Sequence, residues 1–451
     1  MTPPAGRFLQ MTGIHVDTER KILVLTYYWP PSGGAGVQRW LKMTKYLPEH
    51  GIVPVVVTVS PDQVEYPVLD ESLCAEVDRR VRVYHTSCFN PYGFYRRFTG
   101  RRQSPYGGFA NEGVPSFRQK VARFVRGNFF LPDARRGWNR YAFREALRLI
   151  DAEGIDTVVT TGPPMSTHLV GLRLKRRRRI CWIADFRDPW TDLYYKDMLY
   201  PTRLARAVDA AMERRVLLAA DHVTAATAEV KDLLKAKSPL LSEEHFSVIT
   251  NGYDPADMTD AVVPDPEFTM VYTGTLAANY PLGTLLRCLE EMPADMPVHF
   301  RLVGKVDEVW AAKIREICGP HCTFVPYVPH RESIREVKRA TVALLVLPAA
   351  AGYQGALPGK FFEYMGAGVP VLCLGSPDGA ASRILAESGA GTGVAYDDAD
   401  GIRRFLQKHY TSFLAGQRPV RPAAVEDFDR DRIAERFSRL VADCRARCLG
   451  A

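Results

Sequence analysis

Short runs of consecutive apolar residues alternate along most of the chain with segments in which apolar residues recur every three or four positions. The clearest segment of the second kind follows the first apolar run and places Val37, Trp40, Leu41, Thr44 and Leu47 on one helix face. Continuous apolar runs that are joined by helices are typical of parallel sheets covered on both faces. The pattern therefore predicts an α/β protein built from doubly wound parallel sheets.

The alternation occurs twice, which predicts two domains, and a chain of 451 residues is too long for one compact core. The predicted strands of the first series are 22–26, 53–59, 81–84, 157–161, 180–184 and 222–225, and those of the second are 269–273, 298–303, 323–326, 343–347, 369–374 and 392–396. Residues 254–270 between the series are rich in Pro and Asp and show little periodicity. We predict a flexible leader over 1–20, a first Rossmann-like domain over 21–260, a second over 261–425 and a terminal helical segment over 426–451.

Composition narrows the class of protein without identifying it. An apolar fraction of 46% and a charged fraction of 24% are typical of soluble globular domains. No apolar run approaches the roughly 20 residues of a membrane span, and the first twenty residues do not resemble a signal peptide. The nine cysteines are scattered, and Cys318 and Cys322 lack a second ligand pair for zinc. We therefore expect a cytoplasmic protein with reduced thiols and no metal, located in solution or on the inner membrane surface.

The net charge of +8 is concentrated in one part of the first domain. Fifteen Lys and Arg residues stand against two acids between positions 79 and 144, and a long irregular insertion over 89–136 mixes them with aromatic residues. Such a segment is a solvated face, a nucleic-acid patch or a surface for anionic lipid, and nucleic acid is least favoured because no nucleic-acid-binding motif accompanies it.

Within the insertion, residues 116–132 predict an amphipathic helix that lies in a membrane interface. Its apolar face holds Val121, Phe124 and Val125, and Lys120, Arg123 and Arg126 point the other way. Arg118, Arg123 and Arg126 are the candidate contacts to a membrane or acceptor. The alternative is that the aromatic residues pack on the first domain and the arginines are solvated.

A glycine-rich loop, YYWPPSGGAGVQRW, follows the first predicted strand and leads into a helix. Gly33, Gly34 and Gly36 allow close approach of a phosphate to free amide groups at a helix start. A dinucleotide fingerprint is disfavoured because Arg39 stands where its third glycine belongs, and no Walker A lysine follows. A tight strand-to-helix turn without a ligand is the alternative.

A second motif, LPGKFFEYMGAGVPVL, lies between two predicted strands of the second domain. It places Lys360 and Glu363 three residues apart at the start of a short helix. A lysine at that position can form an ionic contact with a diphosphate. A carboxylate one turn later can accept hydrogen bonds from both hydroxyl groups of a ribose. The alternative is a surface salt pair between the two side chains.

Taken together, six segments resemble the family 4 glycosyltransferases, which have the GT-B fold. These segments are YYWPPSGGAGVQRW, TTGPPMSTHLVGLRL, IADFRDPW, ITNGYD, YTGTL and LPGKFFEYMGAGVPVL, and they occur in the family's order between about residues 21 and 410. The resemblance implies two Rossmann-like domains facing a cleft, with the acceptor on the first domain and a nucleotide-sugar on the second. It also implies that the last helix crosses back to the first domain.

The resemblance also implies roles for individual residues. Glu363 matches the ribose-binding glutamate, in the subgroup with a Pro-x-Lys-x-x-Glu motif, and residues 33–36 match the loop that approaches the donor. Asp188 is the best match to the catalytic position, with Asp185 and His168 as further candidates. The remaining donor-binding candidates are Gly274, Thr275, Lys305, Pro358 and Lys360.

Two departures from the family pattern affect the donor site. An earlier family glutamate is here Gly355, and the Arg and Lys that usually grip the diphosphate are Thr275 and about Tyr280. The diphosphate charge then falls to Lys360, Lys305 and backbone amides.

The expected function is transfer of a sugar from a nucleotide-sugar to a hydroxyl of a glycan or lipid-linked acceptor in cell-surface polysaccharide or glycolipid synthesis. The resemblance implies a retaining, metal-independent enzyme without a cofactor. The alternatives are a nucleotide-sugar 2-epimerase of the same fold and a degenerate binding subunit.

Overall fold

The computed structural model describes residues 20–64, 66, 68–89, 116–193, 195–349, 355 and 357–450. The first domain is organised around a seven-stranded sheet in the order β3-β2-β1-β4-β5-β6-β7, with every neighbouring pair parallel. The strands are β1 (Arg20–Leu25), β2 (Ile52–Val59), β3 (Arg82–Thr86), β4 (Thr157–Gly162), β5 (Cys181–Phe186), β6 (His222–Ala225) and β7 (Phe246–Val248).

Helices cover both faces of this sheet, as expected for strands that are buried on both sides. They are α1 (Ala35–Tyr46), α2 (Phe117–Phe129), α3 (Asn139–Glu153), α4 (Ser166–Lys175), α5 (Arg203–Ala219) and α6 (Ala228–Lys235). One apolar cluster lies between the sheet and α3 to α6, and a second lies between the opposite face and α1.

The second domain contains a six-stranded parallel sheet in the order β10-β9-β8-β11-β12-β13. Its strands are β8 (Thr269–Thr273), β9 (His299–Val303), β10 (Cys322–Val325), β11 (Val342–Val346), β12 (Val371–Leu374) and β13 (Gly391–Val394). Its helices are α7 (Gly283–Glu290), α8 (Glu308–Cys318), α9 (His330–Arg339), α10 (Gly359–Gly366), α11 (Ala380–Ser388) and α12 (Ala399–Leu414).

The terminal helix α13 (Arg430–Leu449) packs on the first domain although it follows the second in sequence. Ile433, Phe437, Val441 and Cys444 are buried in the same cluster as α1. An isolated parallel bridge between Tyr253 and Asp429 lies where the chain passes between the domains.

The prediction of two doubly wound domains is confirmed, and each of the twelve predicted strands is present within a few residues of its expected bounds. The prediction omitted β7 because this strand has three residues and Val248 is half-exposed, so it forms no apolar run. The predicted leader and most of the insertion, at 90–115, lie outside the described residues. Within the described part of the chain, no helix is both long and apolar enough to cross a membrane.

Candidate active site

The glycine loop lies at the carboxyl edge of the first sheet, between β1 and α1. Gly34 caps α1 with φ 85° and ψ 175°, a conformation that side chains rarely adopt, and no side chain caps the helix there. Gly33 donates its amide to the Val68 carbonyl at 2.9 Å, so the loop is braced from outside. The backbone amides at the start of α1 are therefore not capped by a side chain of the N-cap residue.

Arg187 holds this loop against the end of β4. Its guanidinium donates to the carbonyl oxygens of Gly36 and Pro163 and, at 3.3 Å, to that of Gly162. The sequence analysis did not single out Arg187, although it lies inside the DFRD segment. Arg187 therefore fixes the distance between the glycine loop and the loop that follows β4.

Asp185 is buried within β5 and is saturated by protein donors. Its oxygens accept two hydrogen bonds from Arg39 at 2.7 and 3.0 Å, and single bonds from Trp40, Thr161 and Thr224 at 2.7 to 2.9 Å. Burial alone would raise the pKa of this carboxyl, but Arg39 and the other donors lower it to about 2. This arrangement explains why an arginine stands at position 39, where a dinucleotide fingerprint would have its third glycine. Arg39 connects α1 to Asp185 in the centre of the sheet.

Asp188 lies in a different environment although it is only three residues later. It follows the end of β5 and is partly exposed, and none of the described residues donates a hydrogen bond to its carboxylate. Burial among neighbouring protein atoms raises the pKa of Asp188, and the charge of Arg187 opposes that rise. Of the two acids in the DFRD segment, Asp188 is the one with oxygens available to a ligand.

His168 is buried in α4 and stacks on Phe186 with ring centroids 4.2 Å apart. Its Nδ1 lies 2.8 Å from the Thr160 hydroxyl, which itself accepts from Trp182 at 2.9 Å. The buried Nε2 has no hydrogen-bond partner among the described residues. Burial lowers the pKa of His168 to about 3, so the ring is neutral at physiological pH.

Lys360 lies in the first turn of α10, above the end of β8. Its Nζ donates to the Thr273 carbonyl at 2.7 Å and lies 4.0 Å from the centre of the Tyr272 ring. Tyr364 also anchors the helix here, since its hydroxyl accepts from the Thr273 amide at 2.8 Å. Burial lowers the pKa of Lys360 to about 7, with Glu363 opposing the shift. The site thus contains a cationic group that is poorly compensated by the protein.

The other predicted donor residues surround Lys360 to different degrees. Gly274 has φ 96°, and an added Cβ there would lie 3.3 Å from Lys360 Nζ. Thr275 is exposed beside it, and Pro358 is the N-cap of α10. Lys305 is exposed and follows Gly304, whose backbone packs against Gly274.

Glu363 is partly exposed on α10 and faces His330, the first residue of α9. Its Oε1 lies 3.9 Å from His330 Nδ1, and the other ring nitrogen lies 3.3 Å from Asp257. Burial would lower the pKa of His330, but Asp257 and Glu363 together raise it to about 9. The sequence analysis missed His330, because its partners lie 73 positions before it and 33 positions after it along the chain.

The contacts continue from Asp257 into the first domain. Lys42 on α1 contacts Asp257 at 3.1 Å, Asp254 at 2.7 Å and Glu76 at 2.6 Å while being almost completely buried. Helix α1, which begins at the glycine loop, is therefore linked through Asp257 and His330 to Glu363 on α10.

A cavity of about 280 Å³ opens in the first domain near Asp188. Tyr195, which lines it, is close enough to Asp188 for that carboxylate to contribute to the raised pKa of the phenol. The apolar part of the wall consists of Phe130, Leu131, Pro132, Pro163, Pro164, Met165, Leu193, Leu199 and Pro201, and Arg126, Lys196 and Arg206 add cations.

Helix α2 closes one side of this cavity and confirms the helix predicted within 116–132. Gly127 meets the Leu199 backbone so closely that an added Cβ would clash with it. Arg123 is wrong as a candidate membrane contact, because it is 7% exposed and faces the domain, opposite Phe124 and Val125. The outward face instead exposes Phe117, Phe124 and Phe129 beside Arg118 and Lys120.

Comparison with known proteins agrees with this arrangement of two domains. Residues 33–257 match Glycosyltransferase Family 4, and residues 267–411 match Glycosyl transferases group 1. The two matches cover most of the chain and divide it where the two sheets divide. The fold and these matches define a GT-B glycosyltransferase. Within that class, the chain belongs to the family 4 glycosyltransferases. No curated protein matches it in sequence.

Solved structures share the fold at low sequence identity. Sucrose-phosphate synthase from Thermosynechococcus elongatus is 16% identical, with a TM-score of 0.58 over 95% of this chain and 100% of that one. The lipopolysaccharide outer core galactosyltransferase WaaB is 12% identical, with a TM-score of 0.58 over 94% and 99%. A UDP-N-acetylglucosamine 2-epimerase from Listeria monocytogenes is 10% identical, with a TM-score of 0.52 over 96% and 98%. These likenesses concern the fold alone.

Proposed function

We propose that the protein transfers a glycosyl group from a nucleotide-sugar to a hydroxyl group of a glycan or lipid-linked acceptor, in cell-surface polysaccharide or glycolipid synthesis. The observation that carries this proposal is the environment of Lys360. A half-buried ammonium group with one carbonyl acceptor and a pKa lowered to about 7 is poorly stabilised by the protein alone. An anionic ligand such as a diphosphate would restore its charge.

In this proposal α10 binds the donor. Lys360 meets the diphosphate together with Lys305 and the backbone at Gly274 and Thr275. Glu363 accepts hydrogen bonds from the ribose hydroxyls, and His330, 3.9 Å away, orients that carboxylate. The first turn of α1, with its uncapped amides at the glycine loop, approaches the donor from the other domain.

Asp188 would serve the transfer step. Departure of the nucleoside diphosphate builds positive charge on the sugar carbon, and a carboxylate that accepts no hydrogen bond from the described residues can orient the sugar or accept a proton from the acceptor hydroxyl. The saturated hydrogen bonds of Asp185 favour a structural role for that residue instead. We further propose that transfer retains the anomeric configuration and requires no metal or other cofactor.

The acceptor would occupy the cavity beside Asp188. Its walls of Pro, Leu and Met suit an apolar portion, as a lipid-linked saccharide would present. The exposed Phe117, Phe124 and Phe129 on α2, with Arg118 and Lys120, would place the cavity mouth at an anionic membrane surface.

The test begins with calorimetric binding of a panel of UDP- and GDP-sugars to the full chain, followed by incubation of the bound donor with membrane lipid extract. We expect one nucleotide class to bind and its sugar to enter the lipid fraction. Glu363→Ala should weaken the binding and reduce the transfer, and Glu332→Ala, a partly exposed acid on α9 that pairs with Arg335, should change neither.

Each rival has its own result in this experiment. Conversion of the donor to its 2-epimer without acceptor would establish an epimerase. Nucleotide binding without any turnover would indicate a binding subunit, and failure to bind any nucleotide-sugar would contradict the proposal.

A further inference from the structure

Three cysteine side chains meet where the end of α13 packs on the first sheet. Cys181 is the first residue of β5, and Cys444 and Cys448 are one helical turn apart on α13. The Cys181 and Cys444 sulfurs are 3.1 Å apart, and those of Cys444 and Cys448 are 3.9 Å apart. All three sulfurs lie within 4.8 Å of one another, so they converge on one point.

This spacing is close to that required by a thiolate-bound cation. Zinc bonds to sulfur at about 2.3 Å, and tetrahedral geometry then separates two sulfur ligands by roughly 3.8 Å. The observed separations of 3.1 and 3.9 Å lie on either side of that value. The cysteines at 444 and 448 present their sulfurs on one helix face, so rotamer adjustments would bring the set into register.

The surroundings leave a route for an ion and for a water molecule as the fourth ligand. Cys448 is partly exposed, whereas Cys181 and Cys444 are buried. The carboxylate of Asp221 already accepts from Lys175 at 2.6 and 2.8 Å and from the Trp182 amide at 2.8 Å. The cluster thus has one side open toward solvent.

The alternative is that the three thiols are small apolar residues packed in a core. Sulfur atoms that pack for volume have no reason to converge on one another from two different elements. Here each of the three contacts another sulfur, and Cys444 lies between the other two. Several sulfur ligands that converge on one point are what a soft cation requires.

We propose that Cys181, Cys444 and Cys448 bind a thiophilic divalent cation of the Zn²⁺ type, with water as the fourth ligand. Binding replaces the thiol protons with metal–sulfur bonds and releases those protons to solvent, with no change of oxidation state. The cation would fasten the end of α13 to β5, at the sheet edge opposite to Asp188. This site is independent of the proposed glycosyl transfer.

The experiment titrates the reduced, metal-free full chain with Co²⁺ and then Zn²⁺. We expect one equivalent of Co²⁺ to give thiolate-to-cobalt charge-transfer absorption, which Zn²⁺ then removes. Zn²⁺ binding should release about two to three protons near neutral pH, measured by calorimetry in two buffers. It should also raise the melting temperature.

Substitutions locate the site and keep the test valid where folding suffers. Cys448→Ser, at the most exposed of the three positions, should fold and bind Co²⁺ at least about 100-fold more weakly, since an outer-shell change alone costs 10- to 100-fold. The matched control is Cys373→Ala, a buried cysteine of the second domain, which should bind as wild type. Absent charge transfer, or unchanged binding in Cys448→Ser, would overturn the proposal.

Discussion

The pH dependence of nucleotide binding follows from the position of Lys360. In the free protein its pKa is lowered to about 7 by burial, so half of the molecules carry the charge at that pH. Contact with a diphosphate should return the pKa toward the ordinary value of about 10.5. Above pH 7 the free protein must therefore take up a proton to bind the ligand, and affinity should fall with increasing pH.

The magnitude can be worked out from these two values. Between pH 6.5 and 8.5 the dissociation constant of the nucleoside diphosphate should rise about 25-fold, or about 2 kcal/mol. At pH 8 binding should take up about 0.9 proton, because about nine tenths of Lys360 is then neutral in the free form. His330, with a pKa of about 9, stays mostly protonated across this window and adds little.

Isothermal calorimetry in two buffers of different ionisation enthalpy measures both quantities. Lys360→Gln should bind weakly, with neither pH dependence nor proton uptake, and Lys313→Gln, an exposed lysine on α8, should behave as wild type. A dissociation constant that is constant from pH 6.5 to 8.5, or an equal pH dependence in Lys360→Gln, would refute the reasoning.

Three further predictions concern the same cleft and its surface. Glu363→Ala should weaken nucleotide binding by about 1–3 kcal/mol, and His330→Gln by less, in calorimetry at pH 7; equal losses would mean that His330 contacts the ligand directly. Asp188→Asn should keep donor affinity and lower turnover by roughly 100-fold, and full turnover with a lowered melting temperature would indicate a structural role instead. Replacing Phe124 and Phe129 with Ser should reduce co-sedimentation with anionic vesicles, and equal sedimentation with neutral vesicles would contradict membrane docking by α2.

The fold was predictable because its strands are short, continuous apolar runs, a pattern that is typical of strands buried in parallel sheets. Residues 52–59 are buried at every position, so sequence and structure carry the same signal. Strand β7 lacked that signal, since it is short and pairs only with β6 at the sheet edge. Arg123 lies opposite Phe124 and Val125 as predicted, but periodicity does not tell which face of a helix meets the domain, and this arginine is buried there instead of contacting a membrane.

Candidate site residues could be named only where the chemistry is local in sequence. Lys360 and Glu363 lie one turn apart, so the sequence predicts a joint role for them, and that role stays a prediction. Asp185 and Asp188 are also close in sequence, three positions apart. What distinguishes them is that Asp185 accepts hydrogen bonds from Arg39 and Thr224, which are remote in sequence. No local pattern reports that one carboxylate accepts five hydrogen bonds from the protein while its neighbour accepts none from the described residues.

The link from α1 to Glu363 explains why the cleft contains so many buried charges. Lys42 is buried with three acids around it, an arrangement that costs several kcal/mol in desolvation before pairing repays it. Such a cost is unnecessary for stability, since apolar residues would pack there as well or better. The charges do fix geometry: Asp257 joins Lys42 of the first domain to His330 of the second, and His330 in turn faces Glu363. The position of the Glu363 carboxylate is therefore set by the contact between the two domains as well as by α10.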